Sequence, residues 1–143
     1  MTRVDFYVSP QHDEEARLQL ACRIAEKAYK LSHCVYIHTD DPLTASKVDD
    51  LLWTFRQGSF IPHCLSEDDH VAHSAIVIGH SQPVANEPQV LINLASTVPE
   101  FFSRFERIAE IVAGSDETRQ SARDRFKYYR ERGYPLETHE LNS

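Results

Sequence analysis

Short apolar runs of strand length alternate with longer amphipathic stretches, and this alternation limits the folds open to the chain more than any other feature. The runs occupy residues 4–8, 34–38, 75–79, 90–94 and 107–112, although a helix fits the spacing of the last nearly as well. Strands that alternate with helices are joined by right-handed crossovers into a parallel sheet. The sequence therefore predicts a three-layer α/β fold, with a mostly parallel sheet and helices on both faces.

Three helices are predicted from apolar residues at helical spacing and from capping residues. The first covers residues 13–31. The second follows Asp41, an N-cap with Pro42 at the first helical position, and Gly58 offers its stop. The third covers residues 115–132 and carries most of the basic side chains discussed below.

Two shorter segments complete the predicted secondary structure. Residues 60–65 are extended, and because Pro62 cannot donate a ladder hydrogen bond, we expect them at an edge of the sheet. Residues 98–102 favour a helical turn that begins at Pro99.

The composition is that of an ordinary folded chain with one domain, residues 1–143. The chain is 41% hydrophobic and 26% charged, and 22 acidic against 15 basic side chains give a formal charge of −7. This charge disfavours broad attraction to duplex DNA or to anionic lipid. No leader of signal-peptide type and no apolar span of about 18 residues is present, so we expect a cytoplasmic chain without a membrane segment.

The glycine and cysteine patterns argue against several kinds of site. The four glycines are isolated and cannot form the Gly-rich loops that hold phosphates, so no nucleotide or other cofactor is expected. Three cysteines without Cys-x-x-Cys spacing disfavour a disulfide framework. Asp5 lies within an apolar run, where we expect it to pair with a basic side chain or a backbone donor.

Residues 67–80 are rich in histidine and acidic side chains and suggest a metal. His70, His73 and nearby acids could serve a metal-dependent hydrolase, which is one alternative function. A structural metal site needs four converging ligands, whereas polar loops collect His and Asp for solvation alone. The solvated loop is favoured, and no metal ligand and no catalytic residue is assigned.

A basic stripe on the third predicted helix is the strongest local departure from the acidic composition of the chain. Arg119, Arg123, Lys127 and Arg130 fall on one helical face with Phe126 among them. Like charges repel at this spacing, and cations are disfavoured near a helix N-terminus, where the first two lie. An anion-binding stripe is therefore favoured over a solvated face. The ring within the stripe suits a peptide that is both acidic and apolar.

Trp53 and Phe60 form a second candidate surface. Trp53 points away from the apolar stripe of the second helix, and Phe60 follows in the edge segment. The two rings either complete the core, as large aromatic side chains usually do, or form an exposed patch for another subunit. The residues alone leave both alternatives open.

The sequence resembles the chi subunit family of bacterial DNA polymerase III over essentially its whole length. The resemblance rests on three stretches: Val4-Asp-Phe-Tyr-Val8, Leu52-Trp53 followed by Ser59-Phe60-Ile-Pro-His63, and Ser121-Ala-Arg-Asp-Arg-Phe-Lys-Tyr-Tyr-Arg130 with Gly133. The second and third stretches are together specific. The resemblance implies a noncatalytic accessory subunit with a Rossmann-like sheet and no bound nucleotide.

The family's two binding sites carry over to this chain by motif. The resemblance implies that the basic helix receives the acidic, phenylalanine-ending tail of single-stranded-DNA-binding protein, and that a Trp/Phe patch engages the small psi subunit, which connects chi to the clamp loader. The tail site then consists of Arg119, Arg123, Phe126, Lys127 and Arg130, and the psi patch of Trp53 and Phe60. Arg119 stands where a lysine is expected and Phe126 where a tyrosine is. Direct binding of single-stranded DNA by the basic helix is the other alternative, with little binding expected at physiological salt.

Overall fold

Seven strands pair side by side in one sheet, and each pairing that the structure describes is parallel. The structure is a computed structural model that describes residues 2–55, 61–66, 75–81 and 89–142. The strands are β1 (Arg3–Val8), β2 (Val35–His38), β3 (His63–Leu65), β4 (Ile76–Gly79), β5 (Val90–Asn93), β6 (Arg107–Val112) and β7 (Leu136–Glu140), in the order β3-β4-β2-β5-β6-β1-β7. The carboxyl ends of these strands therefore share one edge of the sheet.

In the described part of the chain, three α-helices connect the strands, at the positions that the sequence predicts. They are α1 (Glu14–Lys30), α2 (Pro42–Thr54) and α3 (Asp116–Glu131). Each begins at a capping side chain that accepts a hydrogen bond from a backbone amide three residues on, and these caps are Asp13, Asp41 and Ser115. Gly133, at φ 79°, follows the end of α3 in a conformation that glycine adopts without strain. Gly58, the expected stop of α2, lies outside the described residues.

The two faces of the sheet carry separate apolar clusters, which confirms the three-layer arrangement. Helices α1 and α2 pack over Ile37 and Ala109, whereas α3 packs on the opposite face over Ile108. Neighbouring residues of a strand point to opposite faces, so Tyr36 and Ile37 belong to different clusters. Both faces of the central strands are buried, as expected for a parallel sheet.

The shorter predicted segments have mixed outcomes. β3 lies at one edge of the sheet, and β6 is a strand rather than a helix, as predicted. The helical turn that was predicted at residues 98–102 is displaced, because the 3-10 turn covers Phe102–Arg104. β7 was not predicted. Its side chains are mostly polar and exposed, and it is held by its backbone pairing with β1.

A buried ion pair attaches α3 to the sheet. Glu110 of β6 is fully buried and accepts a hydrogen bond of 2.8 Å from Nε of Arg125, which is 4% exposed. The second carboxylate oxygen of Glu110 accepts hydrogen bonds from the Tyr129 hydroxyl at 2.7 Å and the Asn93 amide at 3.0 Å. Burial, reinforced by the Glu110 carboxylate, raises the pKa of the Tyr129 phenol. Every charge in this cluster therefore has a partner.

Removal of the Glu110 charge is expected to destabilise the fold strongly. Glu110→Gln leaves the Arg125 guanidinium buried without a counter-charge, which should lower the free energy of unfolding by about 3–5 kcal/mol. Urea denaturation monitored by circular dichroism measures this change. The control Glu106→Gln alters an exposed residue just before β6 and should change stability by less than about 0.5 kcal/mol. Equal stabilities of the two variants would contradict the role given to the pair.

Candidate functional site

The rotation of α3 about its own axis decides which of its basic residues face solvent. Arg125 and Tyr129 are buried against the sheet, so positions about half a turn away on the helix point outward. Arg123, Lys127 and Arg130 are exposed, and Phe126 is half-buried beside them. We call these four residues the basic face of α3. Apart from Arg119, they are the residues that the sequence predicts for the acidic tail.

Phe126 anchors the basic face to the sheet. Its ring meets Phe6 of β1 edge-on, with centroids 5.1 Å apart, and it joins the apolar cluster on that side of the sheet. The Arg130 guanidinium carbon lies 5.8 Å from the centroid of the same ring. A half-exposed ring with a cation over it can border both an apolar group and a carboxylate.

The cations of the basic face have only weak partners within the described chain. Arg123 donates to the Gln120 side chain at 3.3 Å. Lys127 lies 3.9 Å from Glu131, and 66% of its side chain is exposed. An exposed ion pair of this kind is worth about 0–1 kcal/mol. The positive charge of this face therefore remains available to a ligand.

Arg119 is bound differently from the rest of the predicted stripe. Its guanidinium donates hydrogen bonds to three backbone carbonyls, those of Ser9 at 2.6 Å, Gln11 at 2.8 Å and Gly114 at 3.2 Å. These bonds fasten the loop between β1 and α1 to the start of α3. Arg119 therefore holds the loop through its hydrogen bonds while it still contributes a positive charge next to the basic face.

Trp53 of α2 is exposed near the β3 edge of the sheet, away from α3. The residue is 54% exposed, so it does not complete the core, and its ring is tilted over that of His63 of β3 at a centroid distance of 4.6 Å. His63 is held in turn, because its Nδ1 lies 2.7 Å from the carbonyl oxygen of Ile61. Phe60, the predicted companion of Trp53, lies outside the described residues.

The cleft at the carboxyl ends of the strands carries more acidic than basic side chains. In open α/β sheets this is the usual place for a ligand. Here the cleft, about 260 Å³ in volume, is lined by four acids, Glu14, Asp40, Asp41 and Glu117, and by two arginines. These arginines are already paired, Arg17 with Glu14 and Arg125 with Glu110. The Asp40 carboxylate accepts hydrogen bonds from the Ser96 amide, and Asp41 caps α2. These negative charges disfavour the binding of a phosphate group at this edge.

Asp5 has the basic partners that the sequence predicts, together with one that it does not. The carboxylate is fully buried and pairs with Arg107 at 2.6 Å, with Arg3 at 3.3 Å and with His139 of β7 at 3.0 Å. Possible ligand atoms of Asp5, Glu137 and His139 lie within 4.8 Å of one another. The two arginines already neutralise both carboxylates, which disfavours a metal there.

His139 was not predicted as a partner of Asp5 because strand β7 was not predicted. His139 reaches Asp5 because β7 pairs with β1 in parallel, in a register that places His139 opposite Tyr7, and the two rings stack at 4.8 Å. The sequence carries no clear signal for this strand, because Leu136–Glu140 has mostly polar, exposed side chains. His70 and His73, the residues of the metal alternative, lie outside the described residues.

The Asp5 cluster predicts a specific acid dependence of stability. Burial alone would raise the pKa of Asp5, but the hydrogen bonds from His139 and Arg107 and the charge of Arg107 outweigh it and lower the pKa below its usual 3.8. Because the pKa of Asp5 is lower in the folded state, the ionised carboxylate stabilises the protein at any pH above the unfolded-state pKa. This contribution is lost as the pH falls through the folded-state pKa.

Urea denaturation between pH 7 and pH 3 should show this loss as a difference between the wild type and Asp5→Asn. The variant should be less stable near neutral pH because it lacks the ion pairs, and the gap should narrow once the pH falls below the ordinary aspartate pKa of 3.8. A gap of constant size across this range would show that Asp5 contributes by packing and not by charge.

The fold and its surfaces define the class of protein: a parallel α/β protein whose most distinctive charged and aromatic residues lie on the outer sides of its helices. Among the described residues no helix is long and apolar enough to span a bilayer. The family model described as "DNA polymerase III chi subunit, HolC" matches residues 1–137. The chain belongs to this family of DNA replication proteins, as the resemblance implied.

Curated relatives agree with this assignment. The chain is 48% identical over 141 residues to the DNA polymerase III subunit chi of Pseudomonas aeruginosa PAO1, which covers 99% of this chain and 98% of that protein. It is 30% identical over 121 residues to the same subunit of Escherichia coli K12, covering 84% of this chain and 82% of the relative. The Haemophilus influenzae Rd subunit is 27% identical over 134 residues, or 93% of each chain.

Proposed function

We propose that this chain is a cytoplasmic accessory subunit of DNA polymerase III, without an active site of its own, that connects the clamp loader to single-stranded-DNA-binding protein. Membership of the chi family supports the assignment to the polymerase. The observation that carries the rest is the basic face of α3, where three exposed cations surround a half-buried ring on a chain of net charge −7. The proposed ligand of this face is the acidic C-terminal tail of the DNA-binding protein.

The chemistry of the basic face matches that of an acidic tail ending in phenylalanine. Arg123 binds a tail carboxylate in a bidentate manner, because within the described part of the chain its guanidinium donates only to the neutral Gln120 side chain. Lys127 and Arg119 add longer-range attraction. Phe126, which packs against the same apolar cluster as Leu136, borders the position of the terminal ring, and Arg130 lies over Phe126.

Truncation of Arg123 should weaken tail binding without affecting the fold. A charge-assisted contact contributes about 1.5–3 kcal/mol, so Arg123→Ala should raise the Kd for the tail about ten- to a hundredfold. Fluorescence anisotropy with a labelled peptide of the acidic tail measures the change. Binding should also weaken steeply as salt is added, because exposed charges are screened.

A matched control separates the basic face from general electrostatic attraction. Arg104→Ala removes an exposed arginine from the 3-10 turn and changes the net charge equally, so its Kd should match that of the wild type. Equal Kd values for Arg123→Ala and the wild type would refute the tail site. Binding of an unlabelled oligothymidine at physiological salt, in competition with the peptide, would favour the alternative of direct DNA binding.

The second proposed partner is the psi subunit, at the patch of Trp53 and Phe60. Trp53 is one of three large apolar side chains that are exposed in the described part of the chain, and its ring is held over His63 at the β3 edge. Exposed tryptophans that are fixed in place are typical anchors of protein interfaces. β3 and β6 are four strands apart in the sheet, so this patch and α3 are separated by about 19 Å at the usual strand spacing. Both partners can therefore be bound at once.

Trp53→Ala should abolish copurification of psi and leave the fold intact. The side chain is exposed, so its removal should shift the free energy of unfolding by less than about 1 kcal/mol. Coexpression with tagged psi, followed by thermal melting of the isolated variant, measures both effects. The control Leu43→Ala truncates another exposed residue of α2, 67% exposed, and should retain psi. Retention of psi by both variants would contradict the assignment.

A further inference from the structure

A groove runs between α1 and the β1–β7 end of the sheet, on the face opposite α3. On this face α1 packs against β6, β5 and β2. The space beside it, about 430 Å³, is lined by Tyr7, Ile24, Leu31 and Leu141 among others. A volume of this size is common for ligand sites. We call this space the α1 groove.

The α1 groove is apolar at its base and positively charged at its rim. Leu31 is 61% exposed, and Ile24 and Tyr7 are only partly buried. Arg23, Lys27 and Lys30 line the same groove and are exposed. The acid among the lining residues is Glu26, which is 5% exposed and already engaged within the chain. The groove therefore presents a cluster of positive charge on a chain of net charge −7.

The charge of this rim has no full explanation within the helix itself. Lys27 and Lys30 lie in the last turn of α1, where cations complement the helix dipole. Arg23 lies one turn earlier and repels Lys27 at i, i+4. The dipole therefore accounts for two of the three rim cations, and a negatively charged ligand would account for all three.

A small, mostly apolar recess with a few polar side chains continues the groove toward the sheet. It shares Tyr7, Ile24, Lys27 and Leu31 with the groove and measures about 50 Å³. Nδ1 of His33, which lines it, is buried without a hydrogen-bond partner in the described part of the chain. Buried polar atoms usually have such a partner, so a polar group of a ligand would complete this recess.

Arg107 adds a second donor to the recess. Its Nε holds Asp5, and one terminal nitrogen lies 3.5 Å from the Tyr7 hydroxyl. The other terminal nitrogen has no hydrogen-bond partner within residues 2–55, 61–66, 75–81 and 89–142. Arg107, Lys27 and His33 together present donors suited to a carboxylate, next to apolar walls.

We propose that the α1 groove binds an acidic peptide segment that carries an apolar side chain. A carboxylate of the peptide enters the recess at Arg107 and His33, the apolar side chain packs on Leu31 and Ile24, and further acids meet the rim cations. A second copy of this chain is a poorer occupant, because two molecules of charge −7 repel each other. The groove and the basic face of α3 lie on opposite faces of the sheet, so the two sites are independent.

The test uses a peptide that lacks a free carboxyl terminus and a terminal ring. The probe is fluorescein-labelled Glu-Asp-Leu-Glu-Leu-Asp-Asp with an amidated C-terminus, titrated with the full-length protein by anisotropy. Saturable binding with a Kd of about 10–100 μM is expected. The double variant Lys27→Glu/Lys30→Glu should weaken it at least about tenfold, and Leu31→Ala about threefold.

Matched variants show whether the α1 groove is responsible. Lys47→Glu and Leu43→Ala alter an exposed lysine and an exposed leucine of α2, outside the groove, and should leave the Kd unchanged. Lys27→Gln/Lys30→Gln removes the charges without reversing them. It replaces the Lys27→Glu/Lys30→Glu variant if circular dichroism shows that the latter is unfolded. Arg123→Ala should also bind the probe as the wild type does.

Four results would overturn the proposal. The first is the absence of saturable binding up to about 1 mM, an affinity too weak for a docking site. The second is an unchanged Kd in the folded Lys27/Lys30 variant. The third is loss of binding in Arg123→Ala, which would place the probe on α3 and leave the tail proposal standing. Sedimentation that showed a dimer abolished by Leu31→Ala would likewise assign the groove to a second copy.

Discussion

The buried pair between Glu110 and Arg125 fixes the orientation of α3, and the main candidate site depends on that orientation. A helix with nine charged residues among sixteen has little apolar surface to set its rotation. The Glu110 carboxylate selects Arg125 and Tyr129 as the inner positions. The cations at 123, 127 and 130 then face outward by helical geometry, and Phe126 lies half-buried at the boundary between them and the sheet. A buried ion pair often contributes more to such specificity than to net stability.

Much of the fold could be predicted from the sequence because the central strands are continuous apolar runs and the helices begin at recognisable caps. β2, β5 and α3 were placed to within one or two residues. β7 could not be predicted, since an edge strand with Glu, Thr and His side chains lacks the apolar pattern that indicates a strand. The turn near Phe102 was displaced because proline marks where a helical turn can start, not where it does.

The candidate site was predicted as a row of residue types, but the sequence could not assign the contacts of each member. Arg119 and Arg123 are one turn apart, yet the first holds three backbone carbonyls and the second is exposed. The difference arises from the loop between β1 and α1, whose Ser9 and Gln11 carbonyls accept hydrogen bonds from Arg119. Such a contact spans more than a hundred residues of sequence, and no local pattern records it. Local spacing can therefore identify a charged face, whereas the charges that remain available depend on the tertiary fold.

The carboxyl edge of the sheet helps to explain why the candidate surfaces lie elsewhere. In this chain three side chains cap the helices that begin at that edge, and Asp40 binds the neighbouring loop at Ser96. The amide donors that could hold a phosphate are thus partly occupied, and the surrounding acids repel anions. The positive charge is placed instead on the outer sides of α3 and α1, on opposite faces of the sheet. A fold that often surrounds one ligand in a central cleft here presents separate exposed surfaces, an arrangement suited to contact with several proteins at once.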